Sequence, residues 1–464
     1  MKTEERTEHI TEPMPPHSSG HRRDLAAVGA GVILVAVAAL VGWAIERADH
    51  TLYVHWPPLL ATWYPHVGPG TAAAPAVAVA VVAYGPVLAD RLRWRTLLLS
   101  VYAASLAWIL SLALIDGWGR GIAGRLTTKN EYLRVIGRFD DIGAALRGFN
   151  EHILIGPPGN WPAHVAGHPP GATLTFVLLD RIGLGGGAWA GIWCIVIGAS
   201  AAVAALIAVR TLADERTARR AAPFLALAPV AIWAGTSADG YFTAVAAWSI
   251  TLLALAATRT VRNPSTAALS AGLLFGLVCY LSYGLTLIAL PLLAVLVLAR
   301  TVRPIPVFAL GALVVPVAFT LAGFNWWDAY HLLVERYYQG AGGLRPYSYW
   351  VWANLACTAI AVGPATLAGL RRVVAGAPPA VRTLRTGTAN APQKLILFVS
   401  AALLALLIAD LSGMSKAETE RIWQPFILWL LPATALLPAW RRRGWLAAQA
   451  AVALAVNHLL WTGW

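Results

Sequence analysis

The run LAAVGAGVILVAVAALVGWAI, residues 25–45, carries no charge over its whole length. A bilayer crossing needs about 20 such residues. The run follows His21-Arg22-Arg23-Asp24 and a polar stretch holding Pro13, Pro15, Pro16, Ser18, Ser19 and Gly20. It is too long for a signal-peptide core, and no small-residue cleavage site with a polar mature start follows it. Residues 1–24 therefore read as a disordered cytoplasmic tail and 25–45 as a first transmembrane helix. Outward from it the same pattern recurs. Further spans are predicted near 71–89, 97–115, 187–208, 222–238, 241–258, 265–283, 284–301, 304–323, 349–370, 395–411, 422–440 and 445–463. The predicted fold class is all-α, a polytopic membrane protein of about 13 transmembrane helices.

Composition agrees. Of 464 residues, 58% are apolar and 12% charged, against about 45–50% and 25% in soluble domains. A soluble enzyme is excluded, and so is disorder, which needs low hydrophobicity and high charge. A β-barrel would alternate polar and apolar residues over about 10-residue strands, whereas these runs are continuously apolar. The net charge of +13 does not point to nucleic acid. Arg91, Arg93 and Arg95, Arg216 to Arg220, Arg259 with Arg262, Arg300 with Arg303, Arg371 to Lys394, and Arg441 to Arg443 fall in loops between alternate runs, the pattern of a cytoplasmic face. Cys194, Cys279 and Cys357 lie inside apolar runs, so no disulfide framework or cysteine metal site is read.

The opposite face carries the varied chemistry. His50, His55, His66, His152, His164, His168, His331 and His458 map there, with Asp116, Glu131, Asp239, Glu418 and Glu420. Function is expected on that side. Two loops on it are long: 116–169, and the aromatic 324–348 with Trp326, Trp327, Tyr330, Tyr337, Tyr338 and Tyr347. Gly340-Ala341-Gly342-Gly343 would let the second move as a lid. The segment 168–183 is apolar but short, and counting it as a crossing would put Arg216–Arg220 outside, so it reads as re-entrant or interfacial. No Walker motif, zinc-protease signature or dinucleotide fingerprint is present.

In the first long loop, Lys129-Asn130-Glu131-Tyr132-Leu133 places an acid near the membrane surface, where it can serve as general base for a hydroxyl; Asp116, at a span exit, is the alternative. His168-Pro169-Pro170-Gly171 then opens an apolar stretch, its prolines fixing the backbone where it re-enters. His164 and His168 have the i, i+4 spacing of a metal pair on a helix. Gly167 and the prolines argue against a regular helix there; a divalent cation is left open, and none is required. Asp140-Asp141 stand at the start of an interfacial amphipathic helix, where acids favour the helix dipole.

These motifs and their order resemble the GT-C polyprenyl-phosphate-sugar glycosyltransferases, in particular the protein O-mannosyltransferase and aminoarabinose transferase branch and the actinobacterial membrane mannosyl- and arabinofuranosyltransferases. Beyond Glu131-Tyr132 and Pro169-Pro170, the resemblance runs through Ala228-Pro229-Val230, Thr236-Ser237-Ala238-Asp239-Gly240-Tyr241, the Gly-rich Ala271–Leu277 with Ser282-Tyr283-Gly284, and Glu420-Arg421-Ile422-Trp423-Gln424-Pro425. It covers about residues 97–440, with two extra helices in 25–96 before it and a C-terminal helix in 441–464 after it. It departs from the family where an acidic pair reads Asn130-Glu131 and a basic residue reads Ser282-Tyr283.

The resemblance implies transfer of a sugar from a polyprenyl-phosphate donor to an envelope glycan or glycolipid on the extracytoplasmic face of a bacterial plasma membrane, by the inverting displacement expected of that family. It implies Glu131 as base and Arg421, Lys416 and His168 as ligands of the donor phosphate. Tyr132, Asp239, Tyr283, Trp326, Trp327 and Glu420 would line the substrate site. A transporter or flippase of lipid-linked sugars, and a non-catalytic subunit of an envelope-polymer complex, are the alternatives.

Overall fold

The computed structural model describes residues 17–463. Most of the expected tail, residues 1–16, lies outside them. The remainder of that stretch is helical: one helix runs His17–Asp49, and Asp24, expected in the tail, is fully buried between Arg371 at 2.7 Å and Arg372 at 2.6 Å.

The chain is an all-α polytopic membrane protein. Among the described residues eight helices are long and apolar enough to cross a bilayer: 20–49, 70–91, 94–116, 187–212, 238–258, 264–281, 347–386 and 391–411. A ninth arises if Ile305–Leu321 and Trp326–Gln339, bent by 79°, count as one. The difference from thirteen has local causes. Residues 222–238 break into helices Glu215–Ala226 and Ala231–Ala234 around Pro229, and 422–440 breaks into short turns at Pro425 and Pro432. Proline removes a donor and crowds the preceding turn. Tyr283–Ala299 is apolar but short. The last helix, Arg442–Leu459, carries Arg442, Arg443, Gln449, Asn457 and His458.

Helix 238–258 packs between 187–212 and 264–281, and 264–281 packs on 305–321. Gly272 sits at that last crossing: a Cβ there would lie 1.9 Å from the Phe308 carbonyl oxygen. Small residues let membrane helices approach closely where no water-driven force brings them together. The Gly-rich Ala271–Leu277 segment is thus a packing surface. Helix 347–386 kinks at Gly363, whose φ is 75°.

The two ends of the bundle differ chemically. At one, Asp24 pairs with Arg371 and Arg372, Asp90 with Arg442 at 3.0 Å, and Arg219 donates to the carbonyls of Ala89 and Leu92. At the other, strands Ala61–Trp63 and Leu460–Thr462 pair antiparallel, with Ala61 opposite Thr462, tying the 50–69 loop to the C-terminal helix. All the loop residues expected to carry chemistry are at this second end.

Helix Pro170–Arg181 has 12 residues, about 18 Å at 1.5 Å per residue, too short to cross. It packs on helix 264–281, where a Cβ on Gly171 would lie 2.5 Å from the Tyr280 carbonyl oxygen. The aromatic segment 324–348, expected as a mobile loop, is instead mostly helix Trp326–Gln339. Asn325 caps it, its side chain accepting from the Trp327 and Asp328 amides, one of the strongest helix-start signals.

Candidate active site

The loop Glu131–His168, the start of helix 238–258 and the turn 416–421 converge at the strand-bearing end. Glu131 is 2% exposed. Its Oε1 lies 2.9 Å from His164 Nδ1, and its buried Oε2 has no hydrogen-bond partner in the protein. A carboxylate oxygen shielded from water is costly unless something donates to it, so this oxygen is open to a donor group.

Facing it is a cation held by two acids. Arg421, also buried, donates from Nη1 to Asp239 at 2.5 Å and from Nη2 to Glu418 at 3.1 Å. Although burial disfavours its charge, Asp239, Glu418 and Glu131 together hold the guanidinium above its ordinary value. Burial would likewise raise the Glu418 carboxyl, but Arg421, Arg345 and His164 outweigh it and keep the acid below the usual carboxylate range. The site is a set of fixed charges already facing one another, the kind of preorganisation that stabilises charge developing in a reaction.

Tyr132 bridges the two halves. It is buried, stacks on Phe176 with ring centroids 5.4 Å apart and meets the His168 ring edge-on at 5.7 Å. Burial, then the charges of Asp239 and Glu131, push its phenol well up, so it stays neutral. His168 Nδ1–H donates to the His164 carbonyl at 2.7 Å, and burial pushes the ring down to about 4. A neutral ring with its proton on Nδ1 offers a lone pair at Nε2. That lone pair can accept from a sugar hydroxyl.

Lys416 is 8% exposed and donates to the Gly342 carbonyl at 2.7 Å; burial, then Arg345, lowers its affinity for a proton. Arg345 was not singled out in the sequence. It donates to the carbonyls of Leu52 at 2.9 Å and Lys416 at 2.7 Å and lies 3.6 Å from Glu418. Its place between a Gly-Gly pair and Pro346 in an outer loop was the available signal, masked by the aromatic character of that loop.

Several expected residues lie elsewhere. Asp116, the alternative base, is enclosed by His66 at 2.7 Å, Arg125 at 2.9 Å and Arg120 at 3.4 Å. Its oxygens are committed to joining the strand-bearing loop to the 119–127 turns, a structural role. Tyr283 and Trp326 pack together, at 5.0 Å, and with Tyr330, in an aromatic group of their own. Trp327 is 69% exposed. Glu420 is fully buried on the other side of the Arg421 turn, where burial pushes its carboxyl up to about 7 despite the nearby amides of Glu420 and Leu60.

Glu420 therefore holds its proton more tightly in the fold than in the unfolded chain. Its contribution to stability is complete at acidic pH and is lost as pH rises through about 7. Glu420→Gln, which cannot ionise, should leave the melting temperature unchanged at pH 4, below the unfolded value of 4.5, and raise it at pH 8. Thermal unfolding in detergent at both values checks this; a variant destabilised at pH 8 would mean that the ionised form is held favourably.

Among the described residues no group of three or more His, Cys, Asp or Glu side chains is placed to hold an ion. His164 Nδ1 engages Glu131, His168 Nδ1 engages a carbonyl, and the two rings are 6.4 Å apart. No step is assigned to a divalent cation.

No protein-family model matches the chain, and no curated protein matches it. Solved structures do. The apo form of an oligosaccharyltransferase from Archaeoglobus fulgidus aligns over 81% of this chain and 57% of its own, at 13% identity and a TM-score of 0.51. The same enzyme in complex with zinc and sulfate aligns over 79% of this chain and 53% of its own, at 15% identity and a TM-score of 0.48. The chain thus spans little more than half the length of that enzyme. The shared feature is the fold: this chain has a membrane-helical architecture similar to that of the apo oligosaccharyltransferase.

Proposed function

We propose that the chain is an integral-membrane glycosyltransferase that moves a sugar from a polyprenyl-phosphate donor to an envelope glycan or glycolipid. The single observation that carries the reading is the unpartnered, buried Oε2 of Glu131 in the same charge cluster as the paired Arg421. The GT-C fold supports it. So does the position of the cluster at one end of the bundle, since transport sites lie near the midplane. The opposite end, rich in arginine, is the cytoplasmic one by the positive-inside rule. The site would then face away from the cytoplasm across a bacterial plasma membrane.

The acceptor hydroxyl gives its proton to Glu131 Oε2 as its oxygen bonds to the anomeric carbon. His164, paired with Oε1, fixes the carboxylate. The bond from the anomeric carbon to the phosphate oxygen breaks, and polyprenyl phosphate leaves with that electron pair. Arg421 and Lys416 meet the developing charge; guanidinium matches phosphate oxygens two at a time. Asp239 and Glu418 are positioning residues that set the plane of Arg421. His168 Nε2 accepts from a sugar hydroxyl, and Tyr132 closes the wall beside it. One base and one displacement predict inversion at the anomeric carbon. Which sugar is transferred is a matter of the donor, with arabinofuranose and mannose the first candidates from the sequence resemblance.

The leaving group offers a direct test. Polyprenyl phosphate added to the purified full chain should raise its melting temperature, because a ligand of the folded state stabilises it. Arg421→Lys should reduce that protection. No protection of the wild type at saturating lipid would contradict a phosphate site there.

A further inference from the structure

A second lipid-facing feature lies at the arginine-rich end, away from Glu131. A cavity of about 280 Å³ opens between helices 70–91, 94–113 and 215–226, lined by Val81, Tyr84, Leu88, Val101, Ala104 and Pro223 among others. Its walls are apolar, and Tyr84 and Leu88 are 66% and 44% exposed, so the groove is open on the outside of the bundle, where hydrocarbon lies. It runs along Ala80–Ala89, about 14 Å of helix at 1.5 Å per residue, close to half of a roughly 30 Å hydrocarbon core.

The mouth of the groove is cationic. Arg91, Arg93 and Arg95 stand where helix 70–91 ends and helix 94–113 begins, and Arg216 is in the first turn of helix 215–226; all four are exposed, and none of them forms an ion pair with a described residue. Arg219 donates to the carbonyl of Ala89, a groove residue, and Arg443 to that of Ala83. Arg442 is neutralised by Asp90 and Arg219 by Glu215. Arg220 is held below the ordinary guanidinium value, by burial first and then by Arg442, Arg216 and Arg372. Cations thus crowd this end beyond what its acids neutralise.

We propose that this groove binds a diacyl phospholipid with an acidic headgroup, one acyl chain in the Tyr84–Ala104 cleft and the headgroup phosphate against Arg93 and Arg216. Basic pockets between helices on the cytoplasmic side take such headgroups. The groove does not suit the tail of a sugar donor: the candidate active site is at the strand-bearing end of the bundle, where the other ends of helices 70–91 and 94–116 meet, Gly68–Gly70 against Leu114–Ile115 and His66 on Asp116. The proposal rests on the membrane-spanning fold and is independent of the catalytic reading.

Native mass spectrometry of the full chain, with phosphatidylglycerol or phosphatidylcholine added, tests it. Wild type should retain phosphatidylglycerol in preference. Arg93→Ala with Arg216→Ala should weaken that retention about 30-fold, the effect of two surface cations, and leave phosphatidylcholine unchanged. The corresponding double lysine variant keeps the charge and should retain the lipid, which separates lost charge from lost folding. Ala104→Phe, which fills the groove, should also lower retention. Equal retention of the two lipids by wild type, full retention by the double alanine variant or by Ala104→Phe, or displacement of phosphatidylglycerol by polyprenyl phosphate would each overturn the proposal.

Discussion

Glu131→Gln should abolish sugar transfer while leaving the folded protein in place. A positioned general base contributes about 10²–10⁴ in rate, and the amide is isosteric but cannot take the acceptor's proton. The Oε1 position can still meet His164, which lies 2.9 Å away, so the loop should keep its shape. The discriminating readouts are turnover and melting temperature together. Turnover down by about 10³ with an unchanged melting temperature identifies a chemical role. Turnover near that of wild type would remove Glu131 as the base; Asp116, with its oxygens turned to His66, Arg120 and Arg125, is poorly placed to replace it.

The second large effect is expected at Arg421. Removing one preorganised donor to developing negative charge costs about 10²–10³ in kcat. Arg421→Ala does more than that, since it takes from buried Asp239 the cation it pairs with and leaves Glu418 only Arg345. Breaking a buried pair in this way typically destabilises by about 3–5 kcal/mol. Arg421→Lys keeps the charge but not the fork that reaches both acids, and should retain more stability than activity. Arg303→Ala, in the loop between helices 289–299 and 305–321, is the control and should change neither. Equal small losses in all three variants would make Arg421 an interfacial anchor.

The framework was legible because hydrocarbon demands long uncharged runs, and those survive as helices 20–49, 70–91, 187–212 and 391–411. Broken crossings were not. Continuous hydropathy over 222–238 and 422–440 conceals the prolines that divide them. The pairing of Ala61–Trp63 with Leu460–Thr462 joins opposite ends of the chain, a contact that no local pattern announces. Asp141 as a helix start was readable, and its side chain accepts from the Ala144 amide.

At the site, Glu131, Tyr132, Asp239, Lys416 and Arg421 stood out as polar residues at span ends, and the fold brings them to one end of the bundle. What periodicity could not supply was partnership. The His164 contact to Glu131 crosses a loop, and Arg345 reaches Lys416 and Glu418 across two segments. The aromatic residues illustrate the reverse. Tyr283 and Trp326 have the composition of a sugar platform, but their rings pack on one another and on Tyr330.

The most direct measurement is transfer by the purified full chain reconstituted in vesicles, supplied with polyprenyl-phosphate arabinose or mannose carrying a radiolabelled sugar and with an extract of envelope glycans. Label should move to glycan with wild type and with Arg303→Ala, and not with Glu131→Gln. Label that stays on the lipid for both donors with wild type, while the lipid itself crosses the bilayer of the same vesicles, would contradict an enzyme and identify a flippase.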